Sequence, residues 1–152
     1  MEIDFNKLDA DTLPLVLPLL PEKAREIAAC IGLPAALALV AEFGGCEVRF
    51  VKAPPPGTES EPFCSISRVV GTQAAMDLNI FFGGDEYVYI PLCQAALRAV
   101  RNRQIIDDFT TSLVACNSTR VAASEVARRY RISNRTVENI VNGSYIKRKV
   151  KK

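Results

Sequence analysis

The sequence of this 152-residue chain predicts a mainly α-helical protein with short β-strands. Two observations predict the fold class. Apolar residues recur at helical spacing in segments that Gly and Pro punctuate, and two short segments combine strand-forming residues with nearby turn residues. A third observation divides the chain: the sign of its net charge changes near residue 97. We therefore expect a helical α+β N-terminal region followed by a basic helical one.

The charge division separates an acidic region from a basic region. Residues 1–97 contain six Lys/Arg and thirteen Asp/Glu, a net charge of −7, whereas residues 98–152 contain thirteen Lys/Arg and four Asp/Glu, a net charge of +9. A basic region attracts polyanions, and an acidic region is free for other contacts. We predict an acidic region at 1–97, a connecting helix and linker at 98–122, and a nucleic-acid-binding domain at 123–152.

The composition disfavours enzymes and metal proteins. The chain has no histidine, and its five cysteines are widely spaced without a C-x-x-C pattern, which removes the usual general base and the usual zinc sites. We expect buried, reduced thiols, no catalytic residue, no metal and no cofactor. The apolar runs are too short to cross a bilayer, and the acidic start lacks a secretion signal, so a cytoplasmic location is expected.

One short phrase occurs twice in the acidic region. Residues 42–51 read EFGGCEVRFV and residues 81–90 read FFGGDEYVYI; aligning 27–51 with 66–90 needs no gap and gives nine identities. A helix that turns at once into a strand needs a residue that tolerates positive φ, which glycine supplies. Each copy is predicted to run helix, Gly, helix, Gly-Gly, strand.

The elements of the first copy follow from its punctuation. Pro21 can open a helix that Gly32 ends, and Pro34 can sit in the first turn of the next helix. In the strand, Val48 and Phe50 lie on one side and Glu47 and Arg49 on the other. The proline-rich stretch 53–62 is predicted to be a spacer between the two copies.

The strand of the second copy consists of Tyr87, Val88, Tyr89 and Ile90. These residues are strong strand formers with apolar character on both faces, so we expect a strand that is buried on both sides and needs a partner. Residues 47–51 of the same chain are one candidate partner, and a second subunit could supply another.

A longer helix begins at Cys93 and carries an apolar stripe at Leu97, Val100, Ile105 and Phe109. It is predicted to end near Phe109. Residues 110–119, TTSLVACNST, are predicted to be a connection without assigned structure.

The segment 123–143 predicts a helix-turn-helix. Apolar residues share one face of each short helix, and Ser133 is placed to cap the second helix by accepting from an unpaired backbone N–H. Arg131 occupies the turn position that glycine usually fills, where a left-handed conformation costs about 1 kcal/mol. Gly143 can end the second helix. The apolar residues are Val126, Ala127 and Tyr130 in the first helix, and Val137, Ile140 and Val141 in the second.

Polar residues at the start of the second helix are candidates for reading base edges. Arg pairs well with guanine, Asn with adenine, and Glu can accept from cytosine. A helical hairpin that is basic by chance is the alternative. The candidate base-reading residues are Ser133, Asn134, Arg135, Glu138 and Asn139.

A second set of basic residues suits phosphates, which fix position without reading sequence. The final residues YIKRKVKK are interpreted as a mobile basic extension that adds non-specific affinity. The candidate phosphate-binding residues are Arg128, Arg129, Lys147, Arg148 and Lys149.

Three features in this order, FFGGDEYVYIP, RAVRNRQIIDDF and the helix-turn-helix, resemble the Mor/C transcription activators of Mu-like bacteriophages. The resemblance covers roughly residues 66–142. It implies a helical dimerisation region, with Tyr87–Ile90 as an intersubunit strand and Ser133–Asn139 as the recognition elements. It also implies a homodimer on promoter DNA that recruits host RNA polymerase.

Two features depart from this family pattern. The link 110–122 is longer than expected, and the repeat offers Glu47–Val51 as a strand partner within the subunit. We expect the two copies to pack about a pseudo-twofold axis as an acidic platform.

The sequence supports a transcriptional activator best. A repressor of the same fold remains open, as does a DNA-binding accessory subunit of a phage terminase or recombinase.

Overall fold

The structure, a computed structural model, is mainly helical, as the sequence predicts. It describes residues 3–5, 8, 10–50, 61–84 and 87–150, apart from the side chains of 61–62 and 144–150. The helices are α1 (Leu13–Val16), α2 (Glu22–Ile31), α3 (Leu33–Phe43), α4 (Glu61–Val70), α5 (Thr72–Phe82), α6 (Gln94–Cys116), α7 (Thr119–Tyr130) and α8 (Asn134–Val150), and the strands are β1 (Glu47–Arg49) and β2 (Tyr87–Tyr89). A 3-10 turn at Leu17–Leu19 follows α1.

The chain forms two compact units. The N-terminal unit is Phe5–Leu97, and the C-terminal unit is Arg98–Lys152 together with Met1–Asp4. The start of the chain joins the C-terminal unit because the Gln104 side-chain amide donates to the backbone oxygen of Asp4 at 2.7 Å. The N-terminal unit ends at Leu97, which is also where the net charge of the sequence changes from acidic to basic.

The N-terminal unit repeats the predicted order of two helices and a strand. In the first copy Pro21 precedes α2, and Gly32, with φ 89°, separates α2 from α3. Pro34 lies in the first turn of α3. Proline has no backbone N–H, and in the first turn of a helix that group would have no partner within the helix anyway. Gly44 follows α3, and Gly45, with φ 84°, makes the turn into β1. Each break is thus a local consequence of Gly or Pro.

The two strands pair with each other within the chain. They are antiparallel, with Glu47 opposite Tyr89, Val48 opposite Val88 and Arg49 opposite Tyr87. The pairing extends past β2, where the Ile90 N–H donates to the Cys46 carbonyl at 2.9 Å. Of the two candidate partners for the second strand, the structure contains the one in the same chain.

One face of this sheet is buried. Val48 and Phe50 are buried while Glu47 and Arg49 are exposed, as the alternation predicts. The Phe50 ring lies 5.5 Å from the Phe82 ring, so the end of α5 covers this face.

The prediction that the second strand is buried on both sides is wrong. Tyr87 is 66% and Tyr89 is 51% exposed, whereas Ile90 is fully buried. Side chains alternate along a strand, so the two tyrosines share the face opposite Val88. The tyrosine hydroxyl can hydrogen-bond to water. Tyrosine side chains can therefore remain exposed on this face without being covered by another part of the protein.

Helix packing supplies the rest of the N-terminal core. α2 contacts α3 and α5, α3 also contacts α4, and α4 contacts α5. The large side chains that are fully buried in this unit are Val16, Ile27, Leu37, Leu39, Phe50, Leu78 and Ile90.

In the C-terminal unit, the expected link at 110–122 is helical. α6 continues to Cys116, Asn117 (φ 52°) and Ser118 form a short break, and α7 begins at Thr119. Leu113 packs against the core of this unit. This contact stabilises a further turn of α6 beyond Phe109. The apolar stripe therefore extends one turn beyond the predicted end of the helix.

The expectation that Gly143 ends the last helix is also wrong, because α8 continues to Val150. A glycine inside a helix costs only about 1 kcal/mol, which alone does not end it. The predicted mobile extension is helical up to Val150, and residues 151–152 lie outside the described residues. Of the predicted spacer, residues 53–60 likewise lie outside the described residues, and Glu61 and Pro62 begin α4.

Nowhere in the described parts of the chain is a helix both long enough and apolar enough to cross a membrane.

Candidate nucleic-acid interface

The last three helices share one apolar core. The predicted apolar faces of α7 and α8 are buried against the second half of α6, with Ile140 partly buried. Small residues on α7 let the helices approach closely. The core residues are Ile105, Phe109, Ala122, Ala123, Val126, Ala127, Tyr130, Val137 and Val141.

The turn between α7 and α8 is tight. Arg131 adopts φ 53° and ψ 47°, the left-handed conformation that glycine usually provides, and its N–H donates to the Ala127 carbonyl. The Ile132 N–H donates to the same carbonyl at 3.0 Å. These bonds satisfy the end of α7, so the turn forms despite its arginine.

The first two candidate base-reading residues hold the start of α8 in place. The Ser133 hydroxyl accepts from the Thr136 N–H at 3.1 Å, which is the predicted cap, and lies 2.8 Å from the Thr136 hydroxyl. The Asn134 amide donates to the Ser124 hydroxyl of α7 at 2.8 Å. Both side chains are therefore engaged within the protein.

The remaining three candidates, Arg135, Glu138 and Asn139, are exposed on α8. They lie opposite the buried Val137 and Val141 side of the helix. Their spacing of three and four residues places them on one surface. This surface presents a cationic donor fork, a carboxylate acceptor and a carboxamide that can donate and accept.

Asn142, which the sequence did not predict as a base-reading residue, is a further member of this surface. Asn142 is exposed and lies seven residues after Arg135 and three after Asn139. The signal was its helical spacing, which the expected helix end at Gly143 obscured. We define the reading face as Arg135, Glu138, Asn139 and Asn142.

The predicted phosphate-binding residues differ in whether their side chains are engaged within the protein. Arg128 is exposed, whereas the Arg129 guanidinium pairs with Asp108 of α6, Nη1 to Oδ2, at 3.1 Å. Arg120, also exposed on α7, was not predicted. Lys147, Arg148 and Lys149 lie in the last turns of α8, and their side chains are outside the described ones.

Asp108 joins α6 to the end of α7. Besides the Arg129 pair, its Oδ2 accepts from the Tyr130 hydroxyl at 2.7 Å. Burial raises the pKa of the Tyr130 hydroxyl well above its ordinary value, and the hydrogen bond to the Asp108 carboxylate raises it further. Tyr130 therefore stays a neutral donor, which fixes the helix that precedes the reading face.

The five cysteines differ in their exposure to solvent. Cys30, Cys46, Cys93 and Cys116 are thiols outside any disulfide. Burial raises the pKa of the Cys30 and Cys93 thiols, with the Asp77 charge adding to the effect at Cys30, so both favour the unreactive protonated form. The prediction of uniformly buried thiols is wrong in part, because Cys46 and Cys116 are exposed.

The comparisons with known proteins agree with the resemblance seen in the sequence. The model of the Mor transcription activator family matches residues 61–151. No curated protein and no solved structure matches the chain significantly. The matched range runs from the first residue of α4 through α8, so it includes the second helix–helix–strand copy and the reading face but not the first copy. Since the match covers more than half of the 152 residues, the chain belongs to the Mor transcription activator family.

Proposed function

We propose that this transcription activator binds a specific promoter sequence by placing α8 in the major groove. The observation that carries the proposal is the reading face. Its four polar side chains are exposed on one surface of a helix whose opposite side is buried and whose first turn is capped. A helix is narrow enough to enter the major groove, where each base pair presents a distinct donor and acceptor pattern.

The chemistry of this activity is binding, without a covalent step. Arg135 suits the O6 and N7 acceptors of guanine, Asn139 and Asn142 suit adenine, and Glu138 can accept from the cytosine amino group. Ser133 and Asn134 support these contacts by holding the start of α8 against α7.

Phosphate contacts orient the helix on the duplex. Arg128 on α7 and Lys147, Arg148 and Lys149 on α8 are proposed to neutralise phosphates. The net charge of +9 over residues 98–152 supports this assignment. Such contacts supply affinity for any duplex, whereas the reading face supplies preference among sequences.

Two copies of the chain are proposed to act together on paired half-sites, since each chain supplies one reading face. Tyr87 and Tyr89 are exposed on one face of β2, which supports a contact through that face. Ile90 is fully buried, so its part is to anchor the strand. Sedimentation that shows only monomers, with and without DNA, would remove this part of the proposal.

The acidic N-terminal unit is proposed to contact host RNA polymerase in the bacterial cytoplasm. Transcription in vitro from the target promoter with purified polymerase tests this, and the chain should increase transcript yield. Reduced yield would instead indicate the repressor. A stable complex with a terminase or recombinase subunit, and none with polymerase, would indicate the accessory role.

Arg135→Ala should relax sequence preference. Loss of a bidentate guanine contact costs roughly 1–3 kcal/mol at one base pair and little elsewhere. Binding to the target, to single-base variants of it and to random DNA measures this preference. Lys147→Ala is the control and should weaken binding to every sequence alike. If both variants lose the same affinity on specific and random DNA, the assigned roles are wrong.

A further inference from the structure

The N-terminal unit contains two copies that share their local geometry as well as their sequence. Gly32 lies between the two helices of the first copy with φ 89° and ψ 156°, and Gly71 lies between those of the second with φ 91° and ψ 157°. Backbone conformations that agree this closely, in a region that L side chains rarely adopt, show that the helices of each copy meet through the same turn.

The helices of the two copies pack reciprocally. The first helix of copy one, α2, contacts α5, the second helix of copy two. The first helix of copy two, α4, contacts α3, the second helix of copy one. An arrangement in which each partner offers the same surface to the other is that of a twofold, isologous dimer.

The strand register is reciprocal as well. The copies are offset by 39 residues, so Tyr87 is the counterpart of Val48 and Val88 is the counterpart of Arg49. In the sheet Val48 faces Val88, and Arg49 faces Tyr87. Val48 thus faces the counterpart of Arg49, and Arg49 faces the counterpart of Val48. Antiparallel pairing of counterpart strands creates a local twofold axis, and this register places the axis between residues 48 and 49, within the strands.

We propose that residues 22–50 take the place of a second subunit, so that the N-terminal unit is a twofold pair completed within one chain. The family model matches only the second copy, which makes the first copy the added partner. The surface of α4, α5 and β2 that is complementary to another such copy is thus filled in cis. Each chain then contains one pair of copies and one reading face. The role of that reading face rests on the proposed function.

The length of the connection explains why the pairing takes place within the chain. Only residues 50–60 separate the end of β1 from the start of α4. A short connection holds the two copies at an effective concentration in the millimolar range, about a thousandfold above a micromolar concentration of separate chains. Pairing in cis is therefore favoured over exchange between chains.

The copies have also become unequal, as a fused pair allows. Leu37 of α3 is fully buried, whereas its counterpart Met76 of α5 is 45% exposed. Similarly, Leu33 is buried and its counterpart Thr72 is exposed. Two identical subunits cannot differ in this way, but two copies in one chain can adapt to different neighbours.

A cross-linking experiment on the full chain tests the proposal. Glu47→Cys and Tyr89→Cys place thiols at directly opposite strand positions, where the Cα separation suits a disulfide. The exposed Cys46 and Cys116 are replaced by serine to prevent exchange. After mild oxidation, we expect an intrachain disulfide in nearly all molecules, seen as a monomer with altered mobility on a non-reducing gel.

A mixture of the two single variants is the matched control. Chains with only Glu47→Cys, mixed with chains with only Tyr89→Cys, should give no cross-linked dimer at this pair. A substantial yield of that dimer, or dimers of the double variant that join position 47 of one chain to position 89 of another, would overturn the proposal, as would failure of the double variant to form any disulfide. Because no DNA is present, the outcome is independent of whether the reading face binds a promoter.

Discussion

At the scale of single residues, Arg131 adopts a backbone conformation that is costly for an arginine. Its backbone is left-handed, with φ 53° and ψ 47°, and this conformation brings the Cβ of an L residue close to the following carbonyl. Two bonds to the Ala127 carbonyl maintain it. The turn is therefore held by the packing of α7 and α8 rather than by the preference of its own residue.

Arg131→Gly should raise the free energy of unfolding by roughly 1 kcal/mol, because glycine adopts the left-handed conformation without strain. Urea denaturation measures the change. Arg131→Ala is the control, since it removes the same charge but keeps a Cβ. Equal stability of the two variants would show that the conformation carries no strain.

Tyr130 is predicted to make stability depend on alkaline pH. Its pKa is raised in the folded state by burial and by Asp108, so its contribution is complete below the unfolded pKa of about 10 and is lost as the pH rises above that value. Tyr130→Phe should lower stability by roughly 1–2 kcal/mol near neutral pH. The difference from the native chain should shrink above about pH 10.

Denaturation at a series of pH values measures this difference. Tyr87→Phe is the control, because Tyr87 is an exposed tyrosine of the N-terminal unit. Its removal should leave the pH profile nearly unchanged. A difference between Tyr130→Phe and the native chain that stays constant through the alkaline range would contradict the role given to the hydroxyl.

At the scale of elements, the ends of helices and strands show why glycine occurs where it does. A Cβ built on Gly44 would lie 2.5 Å from the Val40 carbonyl and 3.2 Å from the Leu92 Cα. The segment that leaves β2 thus passes directly over the end of α3. Gly84 lies just after α5 in the second copy, and among the described residues no neighbouring atom lies within 4 Å of such a Cβ.

Gly44→Ala should destabilise the N-terminal unit by roughly 1–3 kcal/mol, because backbone atoms must move to make room. Gly84→Ala is the matched control and should change stability little. Thermal or urea denaturation of both variants measures the contrast. A Gly44→Ala variant as stable as Gly84→Ala would show that the close approach to Leu92 is absent.

Several helix boundaries and caps could be predicted from the local sequence. Pro21 and Gly32 mark helix boundaries through effects that extend over one turn, and Ser133 caps α8 through a bond to a residue three positions away. The apolar stripe predicted for α6 ends before Leu113 because two threonines, Thr110 and Thr111, interrupt the pattern. The Thr110 and Thr111 hydroxyls bond back to carbonyls of the preceding turn, which keeps them inside the helix.

At the scale of the whole molecule, charge is divided between a unit that is proposed to bind DNA and one that is not. The proposed binding depends on phosphate neutralisation by the C-terminal unit, so affinity should fall steeply with salt. The logarithm of the binding constant is expected to fall by about 0.9 per phosphate contact for each unit in the logarithm of salt concentration. Arg128 and Arg129 of α7 should differ in how much each contributes to this salt dependence.

Arg128→Ala should reduce this salt slope by about one, since Arg128 is exposed. Arg129→Ala should reduce it less and lower stability instead, because Arg129 is paired with Asp108. Titrations of one DNA fragment at several salt concentrations, with urea denaturation of both variants, separate the two effects. An unchanged slope in Arg128→Ala would remove that residue from the phosphate contacts.

The sequence by itself determined the class of the fold, the two copies and the buried faces of α7 and α8, because periodicity and turn chemistry act over a few residues. Only the tertiary structure decided that β2 pairs with β1 of the same chain, that Tyr87 and Tyr89 stay exposed, and that Asn134 bonds to Ser124. These features depend on contacts between residues that are distant in the chain, and local pattern carries no information about which distant partner lies nearest.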